Sequence, residues 1–167
     1  ITGPPPRKPG ASTRIWASGP DLDDFKRLGE HGLDIRPLGS EIGMASGLKT
    51  SYAAVTKGTQ ALATQLLLSA KRQGLLEALM EELTATQPWF LPMMEKSLPS
   101  MPPKAHRWVG EMEEHGRTYE ALGMTPLMMQ GAADLYRFLA TTPPGKESPE
   151  QADPNPTLEK LLARLDS

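Results

Sequence analysis

Between Ala45 and Leu66 apolar side chains return at steps of three and four. Ala45, Leu48, Tyr52, Val55, Leu62 and Leu66 keep the rhythm, and Thr59 fills the remaining place. That period lays one apolar face along a helix. The run extends from Ile42 to Arg72, with Gly74 placed to stop it. About 30 residues in a single helix would span ~45 Å, long for a globular domain. Gly43 and Gly47, near its start, weaken the helix there but let another backbone approach closely. Further helices are predicted over Leu75–Thr86, over Lys104–Leu122 with Gly123 as its stop, over Pro126–Ala140 with proline in the first turn, and over Thr157–Leu165. Pro88–Pro103 reads as irregular, with Trp89, Phe90, Met93 and Met94 available for packing, and Thr141–Pro156 as a surface strap.

The first forty residues follow a different pattern. Residues 1–11 read as a turn-rich loop. Ser12–Ala17 is β-prone and closed by Ser18-Gly19-Pro20. Asp21–His31 reads as a helix, with Asp21, Asp23 and Asp24 at its N-terminal end and Gly32 at its stop. Leu33–Leu38 alternates apolar and polar residues, as a half-buried strand does. A strand–helix–strand piece of this size buries too little to stand alone, so it belongs to a larger α/β unit.

Composition sharpens the division. Of 17 prolines none falls between Pro37 and Pro88, so the window from Leu38 to Gln87 can hold a long helix while its flanks cannot. Eighteen basic against 20 acidic side chains give a net charge of −2 over 167 residues, too balanced for a basic nucleic-acid arm or an acidic tail. The absence of cysteine excludes a disulfide framework, a thiolate zinc site and a cysteine nucleophile. It fits a reducing compartment, so a cytoplasmic location is expected. The longest oily stretch, Ala61–Ala70, is interrupted by Thr64 and Gln65 and is short of the ~20 residues a membrane span needs. Neither a membrane nor a nucleic acid is expected as a partner. The chain opens on Ile1 rather than methionine, and a piece of a longer protein is expected.

Candidate chemistry is sparse. Ser46 lies in G-M-A-S-G, but a nucleophile elbow requires G-x-S-x-G on a strand-to-helix turn, so a small residue permitting close packing is the simpler reading. Glu111 and His115 stand one helical turn apart, half of a metal site. A metal needs three or four converging ligands, so exposed helix residues are expected there and no metal is assigned. Glu111, Glu113 and Glu114 read as a solvated face, and the Met124, Met128 and Met129 stripe as core filling. No phosphate-binding glycine loop occurs, so no cofactor-binding residue is assigned within this chain. Lys49 stands in the first turns of the long helix, near the junction of the α/β and helical parts. Spacing alone favours a solvated lysine. It leaves open a partly desolvated one at a domain junction, with a lowered pKa and a general acid/base role.

Three blocks carry a family resemblance: E-I-G-M-A-S-G-L-K-T-S-Y-A-A-V-T-K-G (Glu41–Gly58), R-W-V-G-E-M-E-E (Arg107–Glu114) and G-A-A-D-L-Y (Gly131–Tyr136). In this order they resemble the C-terminal region of the β-hydroxyacid dehydrogenase/6-phosphogluconate dehydrogenase superfamily. The nearest subgroup is the NAD-binding phosphogluconate dehydrogenase C-terminal-like one. The resemblance implies a Rossmann domain, a very long interdomain helix and an all-α C-terminal domain that often dimerises. It implies that Lys49 is the catalytic lysine, with Gly43 before it. Tyr52 and Ala53 stand where the family usually has asparagine, which argues against a 3-hydroxyisobutyrate-like or 6-phosphogluconate substrate. Ile1-Thr2-Gly3-Pro4 matches the family's V-S-G-G substrate loop, and Gly110-Glu111-Met112 its K-D-L block, without the lysine.

The expected fold is therefore mainly α: an all-α C-terminal dehydrogenase domain with a long interdomain helix (39–167), preceded by a short α/β remnant of a Rossmann domain (1–38). The glycine-rich dinucleotide fingerprint is expected upstream of Ile1. The expected activity of the intact protein is NAD(P)-dependent oxidoreduction at the CH–OH group of a hydroxy acid or a related carbonyl compound, with NADP or NAD as cofactor. Lys49 serves as general acid/base, and Thr2, Gly3, Ser46 and Tyr52 contact the small-molecule substrate. A homodimer through the helical domain is the expected assembly. The alternatives are a non-catalytic helical dimerisation module and an imine-reductase-like relative, whose usual loss of the lysine sets it apart from this chain.

Overall fold

Two short strands make up all the sheet among the described residues. In the computed structural model, which describes residues 13–148, 150–151 and 153–166, β1 (Arg14–Ala17) runs parallel to β2 (Asp34–Pro37), with Arg14 opposite Asp34 and Ala17 opposite Pro37. Parallel strands require a crossover. Here it is α1 (Leu22–Lys26), which tightens into a 3₁₀ turn at Arg27–His31. The expected continuous helix stops short because Gly29 weakens an α-helix where it would continue. Gly32, at φ +84°, turns the chain back toward β2. The Ser18 hydroxyl beyond β1 accepts a hydrogen bond from the Ala45 amide (3.1 Å). It thereby satisfies a first-turn donor of α2 (Met44–Ala53), which follows Gly43 at φ +98°. By their contacts residues 1–53 form one unit and residues 54–167 a second.

The described elements of the second unit are all helical: a π-helical turn (Ala54–Gly58), then α3 (Thr59–Arg72), α4 (Leu76–Thr86), α5 (Phe90–Ser97), α6 (Ala105–Ala121), α7 (Leu127–Thr141) and α8 (Leu158–Leu165), with short 3₁₀ turns at Pro102–Lys104 and Pro144–Lys146. The mainly-α architecture agrees with the sequence-based expectation, and most ends fall where glycine or proline placed them. Gly74 and Gly123 both take positive φ just past α3 and α6. Thr157 caps α8 by accepting from the Lys160 amide (3.2 Å).

Three expectations are corrected. The single helix Ile42–Arg72 begins at Met44 and is interrupted by the π turn. The expected apolar face is misplaced: Val55 and Leu62 are 61% and 64% exposed, while Ala61, Thr64, Leu67 and Leu68 are buried. Tyr52, ahead of the π turn, is exposed as well, so the face marked by the period turns outward on both sides of it. Pro88–Pro103 is not irregular, because it contains α5. Pro92 is tolerated at the third helical position, where its missing N–H would have had no intrahelical partner.

The core of the second unit gathers around Tyr136 of α7, which is fully buried with Leu67, Met112 and Leu139. The Tyr136 hydroxyl donates to the Lys57 carbonyl in the π turn (2.6 Å), and its ring meets Trp108 of α6 edge to face (5.2 Å between centroids). Burial, and secondarily the Glu111 carboxylate, push the phenol pKa up, well above its ordinary value. Below pH ~10 the phenol is protonated in folded and unfolded chains alike, so its stabilising contribution is intact. Above it the unfolded chain ionises while the buried phenol does not, and stability falls with rising pH. Tyr136→Phe should cost about 1–2 kcal/mol at neutral pH by leaving the Lys57 carbonyl unpaired, and should flatten the alkaline limb of stability. Urea melts of both proteins between pH 7 and 11 check this, and parallel alkaline limbs would contradict it. Where α7 ends, Gly145 passes so close that an added Cβ would lie 1.9 Å from the Leu139 carbonyl oxygen. Gly145→Ala should therefore cost about 2–3 kcal/mol by overpacking, measured as a lowered urea midpoint with unchanged slope.

Candidate functional site

The exposed side of α2 carries the residues singled out for catalysis. Ser46, Lys49 and Tyr52 follow one another at intervals of three, which places them on one face of the helix. Thr50 and Ala53, one turn beyond Ser46 and Lys49, are buried at the edge of that row. Ser46 and Lys49 are exposed, and Tyr52 is 54% exposed. Among the described residues no ion pair or hydrogen bond engages the Lys49 ammonium. α2 is pinned by the Ser18 hydroxyl at Ala45, and the Ser51 hydroxyl donates to the Gly47 carbonyl (3.2 Å). Thus a fixed helix presents a cation, a hydroxyl and a phenol together. Such a row can hold a carboxylate or hydroxyl group and pass a proton to it. Thr2 and Gly3, the other expected substrate contacts, lie outside the described residues.

A second group, in residues 54–167, was not anticipated from the sequence. Lys57 of the π turn forms an ion pair with Glu111 of α6, and its ammonium lies 5.2 Å from the Trp108 ring centroid. Both partners are four-fifths buried. The expectation of a solvated acidic face on α6 is corrected accordingly: Glu111 is taken by Lys57, and Glu113 by Arg137 of α7. His115, expected to be exposed, is 2% exposed beneath that face. The methionine stripe divides, with Met129 buried and Met124 and Met128 at 58% and 74% exposure. The blocks Arg107–Glu114 and Gly131–Tyr136 thus pack against one another and against the π turn. Their sequence signal was present, but nothing local in it joined either block to Lys57. The Lys57 ammonium is paired and stacked, so it holds structure, whereas Lys49 is exposed. Among the described residues no group of three or more His, Asp or Glu side chains converges on a point, and no helix is long and apolar enough to cross a membrane.

Comparison with known proteins agrees with this architecture. Residues 70–139 match the family model described as "Domain of unknown function (DUF1932)". No curated protein matches the chain. A solved structure of a conserved hypothetical protein from Sinorhizobium meliloti 1021 superposes with a TM-score of 0.75 at 24% identity, covering 92% of this chain and 51% of that one. At that identity it shows the fold alone. The conserved protein MTH1747, of unknown function and described as structurally similar to 3-hydroxyacid dehydrogenases, matches with a TM-score of 0.66 at 34% identity. That match covers 76% of this chain and 49% of that protein. The chain thus spans about half the length of the solved proteins it matches. Residues 70–139 thus resemble the DUF1932 family, and the chain shares a mainly-α build with about half of MTH1747.

Proposed function

We propose that the chain is the C-terminal half of an NAD(P)-dependent oxidoreductase that acts on a hydroxy acid or related carbonyl compound, with Lys49 as general acid/base. The observation that carries this reading is the exposed row of Ser46, Lys49 and Tyr52 on α2. The structural likeness of MTH1747 to 3-hydroxyacid dehydrogenases supports the reaction class. A nicotinamide, NADP or NAD, bound outside this chain supplies hydride transfer. The chain's own part is the proton. As charge changes on the substrate oxygen, the Lys49 ammonium donates to it in the reduction and the amine accepts from it in the oxidation. Ser46 and Tyr52 orient the substrate beside that nitrogen. In the intact protein, Lys49→Met should lower turnover of a hydroxy acid at least ~100-fold, while titration of NADPH or NADH fluorescence shows cofactor binding unchanged. Turnover near that of the parent would sink the assignment.

The partner in this reading is a second copy of the chain, joined through the helical unit. Leu62 of α3 and Leu127 and Met128 of α7 are 64%, 69% and 74% exposed and border a shared apolar groove. Apolar surface of that kind marks an association site. A paired Leu62→Lys, Met128→Lys variant should elute and scatter light as a monomer where the parent is a dimer, and an unchanged mass would rule the face out. A cytoplasmic setting fits a chain without cysteine.

A further inference from the structure

On the second unit, where the turn before α6 meets the strap after α7 and one side of α8, lies a cavity of about 610 Å³. Its volume falls within the range of small-molecule sites. Pro102, Pro144 and Leu161, all buried, contribute an apolar lining. Around them stand four permanent cations, Lys104, Arg107, Lys160 and Arg164, and two carboxylates, Glu147 and Asp153. The carboxylates are already used. Glu147 accepts from Arg164, and Asp153 from Lys160 (2.9 Å), whose ammonium holds the Asp153 carboxyl below its ordinary pKa range.

That leaves Lys104 and Arg107 as an excess of two positive charges at the cavity edge. Lys104 has a hydrogen bond to the Ser100 hydroxyl (3.3 Å), and no ion pair engages either side chain among the described residues. Three apart at the start of α6, they are neighbours. They also sit at the positive end of that helix, whose first turn contains no acid, so their own fold does not favour them there. An apolar lining beside two uncommitted cations is complementary to one kind of ligand.

We propose that this cavity binds a small organic carboxylate, its apolar body against Pro102, Pro144 and Leu161 and its carboxylate on Lys104 and Arg107. The site is formed wholly by residues of the second unit and does not rest on the oxidoreductase reading. Isothermal titration of the full chain with naphthalene-2-carboxylate tests it. The expected result is one saturable site per chain, with affinity reduced about tenfold in a Lys104→Ala, Arg107→Ala variant and unchanged in Lys96→Ala. Uncharged 2-naphthamide should bind about tenfold more weakly than the carboxylate, and inorganic phosphate, lacking an apolar body, should not saturate. Lys104→Gln alone, with an intact helical spectrum, keeps the test open should the double variant fail to fold, and it should also weaken binding. No saturable binding, equal affinity in the folded cation variants, or phosphate binding as tight as the naphthoate would each overturn the proposal.

Discussion

Much of the second unit depends on one hydrogen bond. Tyr136 is fully buried, and a buried phenol must find an acceptor or bear the cost of an unpaired hydroxyl. Its acceptor is the backbone carbonyl of Lys57, 79 positions earlier in the chain. That carbonyl belongs to a π turn, where the usual i to i+4 ladder is disrupted and the backbone can take a partner from outside the helix. The contact fixes α7 against the π turn. Trp108 then packs its ring against Tyr136, and Glu111, one turn along α6, closes on the Lys57 ammonium. Two motifs far apart in sequence thus meet at a single irregular turn.

Element ends were legible because their chemistry is local. Glycine beyond a helix, proline in a first turn and threonine at an N-cap act within a few residues, so α6, α7 and α8 fall close to where the pattern placed them. Faces were not legible in the same way. Tyr52, Val55 and Leu62, which the period had assigned to one apolar face, are all exposed, because the partner elements that decide which side is covered come from elsewhere in the chain. α5 was missed for another reason. Proline in a run reads as a break, yet Pro92 sits where a helix has no bond to lose.

The candidate site divides along the same line. Lys49 could be singled out because its neighbours Gly43, Ser46 and Tyr52 lie within two turns, and their spacing fixes a common face without tertiary information. The Lys57–Glu111 pair could not, since the two residues are 54 positions apart and neither has a distinctive local pattern. Glu111, Glu113 and Glu114 looked like a solvated acidic face because composition cannot show that cations on the π turn and α7 are aimed at two of them.

Charge accounting explains why a net charge of −2 conceals a marked local imbalance. Exposed ion pairs add little stability, but each one settles which charges remain uncommitted. In the second unit Lys57 and Arg137 engage Glu111 and Glu113 of α6, and Lys160 and Arg164 engage Asp153 and Glu147 of the strap. Among the described residues no acid forms an ion pair with Lys104 or Arg107, and none pairs with Lys49 on α2. A cation with no internal partner and no core to serve is the kind of group a fold can direct at a ligand. Here such cations occur in two places, on the exposed row of α2 and beside the apolar cavity at the start of α6.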